Sequence, residues 1–210
     1  VGQTVHALYI PDLGVGRLVE TPGEIVAQID AFLANDAIAV GDTIVTGYGL
    51  VEDVANEVCS TLTGDGLAPD CSLIGDGWTG AQFEAAVLDM RHDVVSFNGH
   101  ADHYNIRAPL GSVSSGDVVS ATVDHTQALF FTPGCHAGLN VPPANPYQSL
   151  DTAQAMARNK SVYVANTGYG WGFSFSIGLS EQLMLDFAER LVYGQSATVG
   201  QALAAAKQEY

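Results

Sequence analysis

Apolar positions along this chain recur with two periods that alternate from N- to C-terminus. Ile25, Val26, Ile29, Phe32 and Leu33 fall on one helical face behind Thr21-Pro22-Gly23-Glu24, which has capping-box spacing with proline at the first helical position. This predicts a helix over 22–34. Val51, Val54, Ala55, Val58 and Leu62 repeat the pattern, as do Phe83, Ala86, Val87 and Met90 behind the Thr79–Gln82 box. Leu183, Met184, Phe187, Leu191 and Val192 mark a helix from Ser180, and Thr198 with Gln201 opens a last one reaching Tyr210. Ser149 is a candidate cap for another helix running through Ala157. Between these segments lie Thr43–Thr46, Ser72–Ile74, Val94–Phe97, Ala128–Thr132 and Val162–Ala165, short β-branched or aromatic runs ended by Gly, Pro or Asn. They have the character of buried strands. Strands alternating with helices predict an α/β fold with a mainly parallel sheet covered on both faces. Asn140–Pro146 is proline-rich and predicts an extended loop.

Composition adds limits rather than an answer. With 210 residues, 47% of them hydrophobic, the chain can close one substantial core, so a single domain is expected. Its 23 acidic residues against 7 basic ones give a formal charge of -16. Neutralising phosphates takes clustered Lys and Arg, so nucleic acid is not expected as a partner. Acidity of this degree suits extracellular surroundings, calcium or cationic substrates. No apolar run approaches the ~20 residues of a membrane-spanning helix. The sequence opens at Val1, already in domain-like sequence, which predicts a piece processed from a longer precursor whose other domains would be its neighbours. Cys59 and Cys71 flank a turn-rich stretch that could bring their Cα atoms to about 5–6 Å and close a disulfide, which would point to a secreted or cell-surface protein. Cys135 is then the odd cysteine, a candidate reactive thiol.

Chemistry gathers at two strand ends. Val94-Val95-Ser96-Phe97-Asn98-Gly99-His100 delivers a histidine at the carboxyl end of an apolar strand, and Leu129-Phe130-Phe131-Thr132-Pro133-Gly134-Cys135 delivers a cysteine in the same way. Loops beyond the carboxyl ends of parallel strands are where such sheets bind and react. A thiol needs a nearby base to act at neutral pH, and His100 would supply one if the two strands are neighbours. Glycine before each residue lets the backbone turn and a substrate approach closely. Trp171, in a Gly-rich loop after a core strand, is a candidate pocket wall.

With these strand ends, the chain resembles the gingipain-like cysteine peptidases of the caspase-like clan. Pro11-Asp12-Leu13-Gly14-Val15-Gly16-Arg17-Leu18 is similar to the Pro-Asp-x-x-x-Gly-Arg segment of that family, and Thr46-Gly47-Tyr48 to its first strand end. Val162–Trp171 and Thr198–Leu203 resemble its later strand and last helix. The likeness spans most of the chain in the order and character of segments. It implies a three-layer α/β/α caspase-like domain, with Cys135 as nucleophile, His100 as general acid/base, and the backbone N–H groups of Cys135 and Ala101 holding the oxyanion. Relatives usually carry glycine at the position of Ala101, so the oxyanion site here is narrower by one methyl group. No cofactor is implied, although structural calcium fits the acidity. The substrate implied is a polypeptide, and relatives often favour a basic side chain held by a carboxylate. Glu52, Asp53 and Asp76 follow strand ends and could reach the rim, while Glu52 and Asp53 serve equally as helix-start carboxylates.

Two rivals remain open. His100, His103 and His136 with Asp102 and Cys135 offer zinc ligands, without the usual helical zinc-peptidase pattern. A catalytically inactive adhesion or scaffold domain could use the same fold. His6, His92 and His125 are expected at the surface, and His136 is expected to point away from the nucleophile if the local backbone is extended.

Overall fold

In the computed structural model, which describes residues 11–19, 21–142, 150–193 and 198–210, the five apolar runs pair into one sheet. They form β1 (Thr43–Gly47), β2 (Asp70–Ile74), β3 (Val94–Asn98), β6 (Leu129–Thr132) and β7 (Val162–Ala165), in the order β2-β1-β3-β6-β7 and parallel throughout. A separate antiparallel hairpin, β4 (Asn105–Arg107) with β5 (Ser112–Ser114), was not expected from the sequence. Its strands are too short to show a period.

Alternation along each strand sends side chains into two cores. Ile44, Val95, Phe97 and Phe130 face one side, where α3 (Gly80–Phe83), α4 (Ser115–Ser120) and α5 (Thr152–Arg158) cover them with Phe83, Val118 and Met156. Val45, Val94, Leu129 and Phe131 face the other, under α2 (Glu52–Gly64), α6 (Ser180–Tyr193) and α7 (Val199–Glu209), which contribute Val58, Phe187 and Ala202. Buried on both faces, β1, β3 and β6 are continuous apolar or small-residue runs, as a covered parallel sheet requires. The architecture is three-layer α/β/α.

Helix α1 (Pro22–Ala34) begins in the expected Thr21–Glu24 capping box. Its apolar residues nevertheless stay outside the cores: Phe32 is 53% and Leu33 74% exposed, and no residue of α1 is buried. The helix behind Thr79 makes one α-turn and then widens into a π-turn over Glu84–Leu88, closed by Asp89 N–H donating to Glu84 O at 2.9 Å. The widening buries Val87 and Leu88 and leaves Met90 out, contrary to an unbroken α-period. The cap of α5 is Asp151, not Ser149, which lies outside the described residues with most of the 140–146 loop. His6 also lies outside them.

Cys59 and Cys71 are joined as a disulfide, with Cα atoms 6.5 Å apart, tying α2 to β2. His92 and His125 correct the surface expectation. His92 is 4% exposed, with its ring nitrogens 2.8 Å from Asp42 Oδ1 and from Ala86 O, and His125 is 2% exposed with Nε2 3.0 Å from Leu88 O. Carbonyls left over at the π-turn segment take up one nitrogen of each ring, while His125 Nδ1 is buried without a hydrogen-bond partner.

Candidate functional site

The rim at the carboxyl ends of β3 and β6 brings the two singled-out loops together. β3 pairs with β6 at a constant offset of 35 residues, Val94 opposite Leu129, Val95 opposite Phe130 and Ser96 opposite Phe131. The same offset relates His100 to Cys135. Beyond the ladder the loops stay in contact: a Cβ placed on Gly134 would lie 2.9 Å from Ala101 Cβ and 3.0 Å from Gly99 O. Only glycine permits that approach.

His100 is exposed on this rim. Tyr48, beyond the end of β1, holds it: the backbone N–H of His100 donates to Tyr48 Oη at 3.3 Å, and the two rings meet edge-on with centroids 6.1 Å apart. Tyr48 in turn packs edge-on against buried Trp78, and burial pushes its phenol above the ordinary value, so it stays a neutral hydroxyl. A Cβ on Gly99 would meet the Tyr48 ring at 2.7 Å. Ala101 forms a bridge with Ile106 whose bonds run from Arg107 N–H to His100 O (2.9 Å) and from Asp102 N–H to Asn105 O (3.0 Å). The N–H of Ala101 is therefore not used by that bridge.

Cys135 is the free cysteine, half-buried, and its thiol donates to Gly170 O at 3.4 Å. Its loop is fixed from both sides. Thr132 Oγ1 accepts from Gly134 N–H at 3.0 Å, and Asn166, following β7, donates from Nδ2 to Pro133 O at 2.7 Å. His136 adopts φ 52°, a left-handed backbone, so the extended conformation on which its pointing away from the nucleophile was conditional is not present. Its N–H donates to Gly168 O at 2.7 Å, and its ring lies near Thr167 O and against Tyr169, whose centroid is 4.6 Å away.

The loop after β7 thus borders the cysteine. Trp171 is 64% exposed, which rules out packing beneath its loop, and Tyr169, Phe173 and Phe175 expose their rings beside it. The first turn of α6 anchors this loop: Trp171 N–H donates to Ser180 Oγ, and Ser180 N–H to Trp171 O at 2.9 Å. Phe173 and Gly178 N–H donate to Glu181 Oε2.

The acidic candidates are dispersed. Glu52 and Asp53 start α2, where Asp53 Oδ1 accepts from Val54 N–H. Asp76 accepts from Gly49 N–H at 3.0 Å, joining the turns after β1 and β2. All three follow the carboxyl ends of strands, and Asp53 and Asp76 are engaged there by helix-start and turn N–H groups. Asp102 holds the β4 hairpin through Tyr104 N–H, Asn105 and Arg107; these outweigh burial and lower its carboxyl below the ordinary value. His103 packs its ring on Tyr104. Among the described residues no group of three or more His, Cys, Asp or Glu converges as a metal site.

Tyr48, Asn166, Ser180 and Glu181 are site residues that the sequence reading did not select. Tyr48 and Asn166 stood in quoted segments and Ser180 as a helix start, none of them for a role at the site. Searches with the chain against protein-family models, curated proteins and solved structures found no match. No described helix is long and apolar enough to cross a membrane.

Proposed function

We propose that the chain is a cysteine endopeptidase domain of caspase-like, gingipain-like type, with Cys135 as nucleophile and His100 as general acid/base. One observation carries this reading: the register of β3 on β6 relates His100 to Cys135 by the same 35-residue offset as the strand pairs. Two glycine-bearing loops then meet at one sheet rim, where parallel α/β sheets place their chemistry. In the reaction, His100 takes the thiol proton as Cys135 Sγ bonds to the scissile carbonyl carbon. The N–H groups of Cys135 and Ala101 would hold the oxyanion. The intermediate collapses by breaking the C–N bond, and His100 gives its proton to the departing amine. Water then attacks the thioester carbonyl while His100 accepts its proton, and C–S cleavage returns the thiol.

A polypeptide lying along the rim would meet Trp171 and the neighbouring exposed aromatics as a wall. The net charge of -16, with Glu52, Asp53 and Asp76 on the same rim, supports a basic residue at the cleaved position. The Cys59–Cys71 bond supports a secreted or cell-surface location. The test is a peptide library varied at the cleaved position, together with mass spectrometry after a peptidyl electrophile. Cleavage after Lys or Arg and modification of Cys135 are expected. Absence of cleavage with an unmodified thiol would favour the scaffold reading, and bound zinc at one equivalent with losses in His100→Ala, His103→Ala and His136→Ala alike would favour a metal hydrolase.

A further inference from the structure

The loop Gly170–Leu179 carries several local costs at once. Leu179, a branched residue, sits at φ 55° just before α6, where a polar N-cap residue would be ordinary. Gly178 touches the Phe173 ring so closely that a Cβ would lie 2.6 Å from it. Glu181 is 1% exposed, and although its Oε2 accepts from Phe173 and Gly178 N–H at 3.3 Å each, its Oε1 has no hydrogen-bond partner. A buried carboxylate oxygen without a partner calls for an explanation. Gly172 closes over it: a Cβ there would stand 2.1 Å from Oε1. An apolar side chain in place of Glu181 would avoid the desolvation, so the carboxylate's use must lie in the backbone it holds.

That backbone is the wall of the candidate site. From Gly170, whose carbonyl accepts from the Cys135 thiol, the chain passes to exposed Trp171, pinned by Ser180, and then to Phe173 and Gly178, pinned by Glu181. We infer that Glu181 is a positioning residue, one that fixes the Trp171 wall beside Cys135 from beneath and thereby sets how substrate is seated. The inference rests on the peptidase reading for its kinetic consequence but not for its structural one. Glu181 does not touch the reacting atoms. Gly172 is the matching half of the device, because only a residue without Cβ leaves room for the carboxylate.

A double-mutant cycle between Gly172→Ala and Glu181→Ala, with Glu181→Gln as the conservative variant, tests it through two readouts. The first is acrylamide quenching of tryptophan fluorescence, which separates exposed Trp171 from buried Trp78 and needs no activity. The second is peptide cleavage resolved into KM and kcat. Glu181→Ala and Gly172→Ala should each change Trp171 quenching and raise KM about 10-fold with kcat within about twofold, because seating rather than chemistry is disturbed. Glu181→Gln, whose amide oxygen can accept the same N–H pair, should stay within about twofold of wild type, and the double mutant should lose less than the sum of the single losses. Wild-type quenching and KM in a folded Glu181→Ala, or strictly additive losses in the cycle, would overturn the inference. Should Glu181→Ala fail to fold, Gly172→Ala against Glu181→Gln decides by the same readouts. A wild-type protein that cleaves no peptide defeats the peptidase reading, while quenching still decides the role of Glu181.

Discussion

Gly170 offers a direct test of how the rim is held together. A Cβ at this position would lie 1.8 Å from Pro133 O and 3.0 Å from Asn166 Nδ2, so Gly170→Ala drives a methyl group into the backbone of the cysteine loop. Backbone cannot swing aside as a side chain can. The loops would have to part, weakening the Asn166–Pro133 bond of 2.7 Å and the contact of Cys135 with Gly170 O. Overpacking typically costs ~1–3 kcal/mol, and loss of a partly buried hydrogen bond adds about 1 kcal/mol, so ~2–4 kcal/mol is expected. For a domain of this size that lowers Tm by roughly 5–15 °C. Gly168, in the same loop, meets nothing within 4 Å and has no positive φ, so Gly168→Ala is the control and should stay within about 0.5 kcal/mol of wild type. Thermal and urea unfolding of the two variants provide the comparison. Peptidase activity should also fall by about 10²-fold in Gly170→Ala, since a displacement of roughly 1 Å at the nucleophile has that effect. Equal unfolding curves for Gly170→Ala and Gly168→Ala would refute the interlock.

Other outcomes follow from burial and charge. Burial holds the His125 imidazole below its ordinary value, so the unfolded chain binds the proton better and stability should be lost as pH falls below 6.5. Urea unfolding at pH values on either side should show that loss shrinking in His125→Gln. Although burial disfavours its charge, the Thr21 hydrogen bonds and Arg158 lower the Glu24 carboxyl from 4.5 to about 2, so its stabilisation is present above 4.5 and lost as pH falls towards about 2. The pair is partly exposed and screened, so Glu24→Gln should cost about 1 kcal/mol at pH 7 and flatten the acid limb of the stability curve. Reducing or removing the Cys59–Cys71 bond, with its 12-residue separation, should cost about 3 kcal/mol by denaturant unfolding while leaving the sheet's circular dichroism in place.

The five parallel strands and the main helices were legible because each leaves a local signature: a boxed start, a 3.6 period, or a short apolar run ended by Gly or Pro. The helical face of α1 was legible as a helix but not as an exposed one, since periodicity tells which residues share a face and nothing of what covers it. The π-turn at Glu84–Leu88 and the left-handed His136 are invisible to periodicity, because tertiary packing decides them. At the candidate site, the strand ends that carry His100 and Cys135 were legible, and the register shows those two strands to be neighbours, which the sequence could only assume. Tyr48, Asn166 and Glu181 could not be selected in this way. Tyr48 and Asn166 act through contacts with loops far away in sequence, Glu181 through a loop conformation with no pattern of its own, and a tyrosine, an asparagine or a helix-start glutamate has an ordinary local reason to be where it is. Likewise His92 and His125 gave no sign of burial, because Asp42 beside the one and Leu88 O beside the other lie far from them in sequence.

Peptide cleavage by Cys135→Ala and His100→Ala, measured as kcat/KM beside the wild type, tests the proposed Cys135–His100 mechanism. Cys135→Ala should abolish cleavage, and His100→Ala should reduce it by at least ~10²-fold, with both variants retaining the wild-type unfolding transition within about 1 kcal/mol. Undiminished cleavage by Cys135→Ala would contradict the thiol mechanism outright.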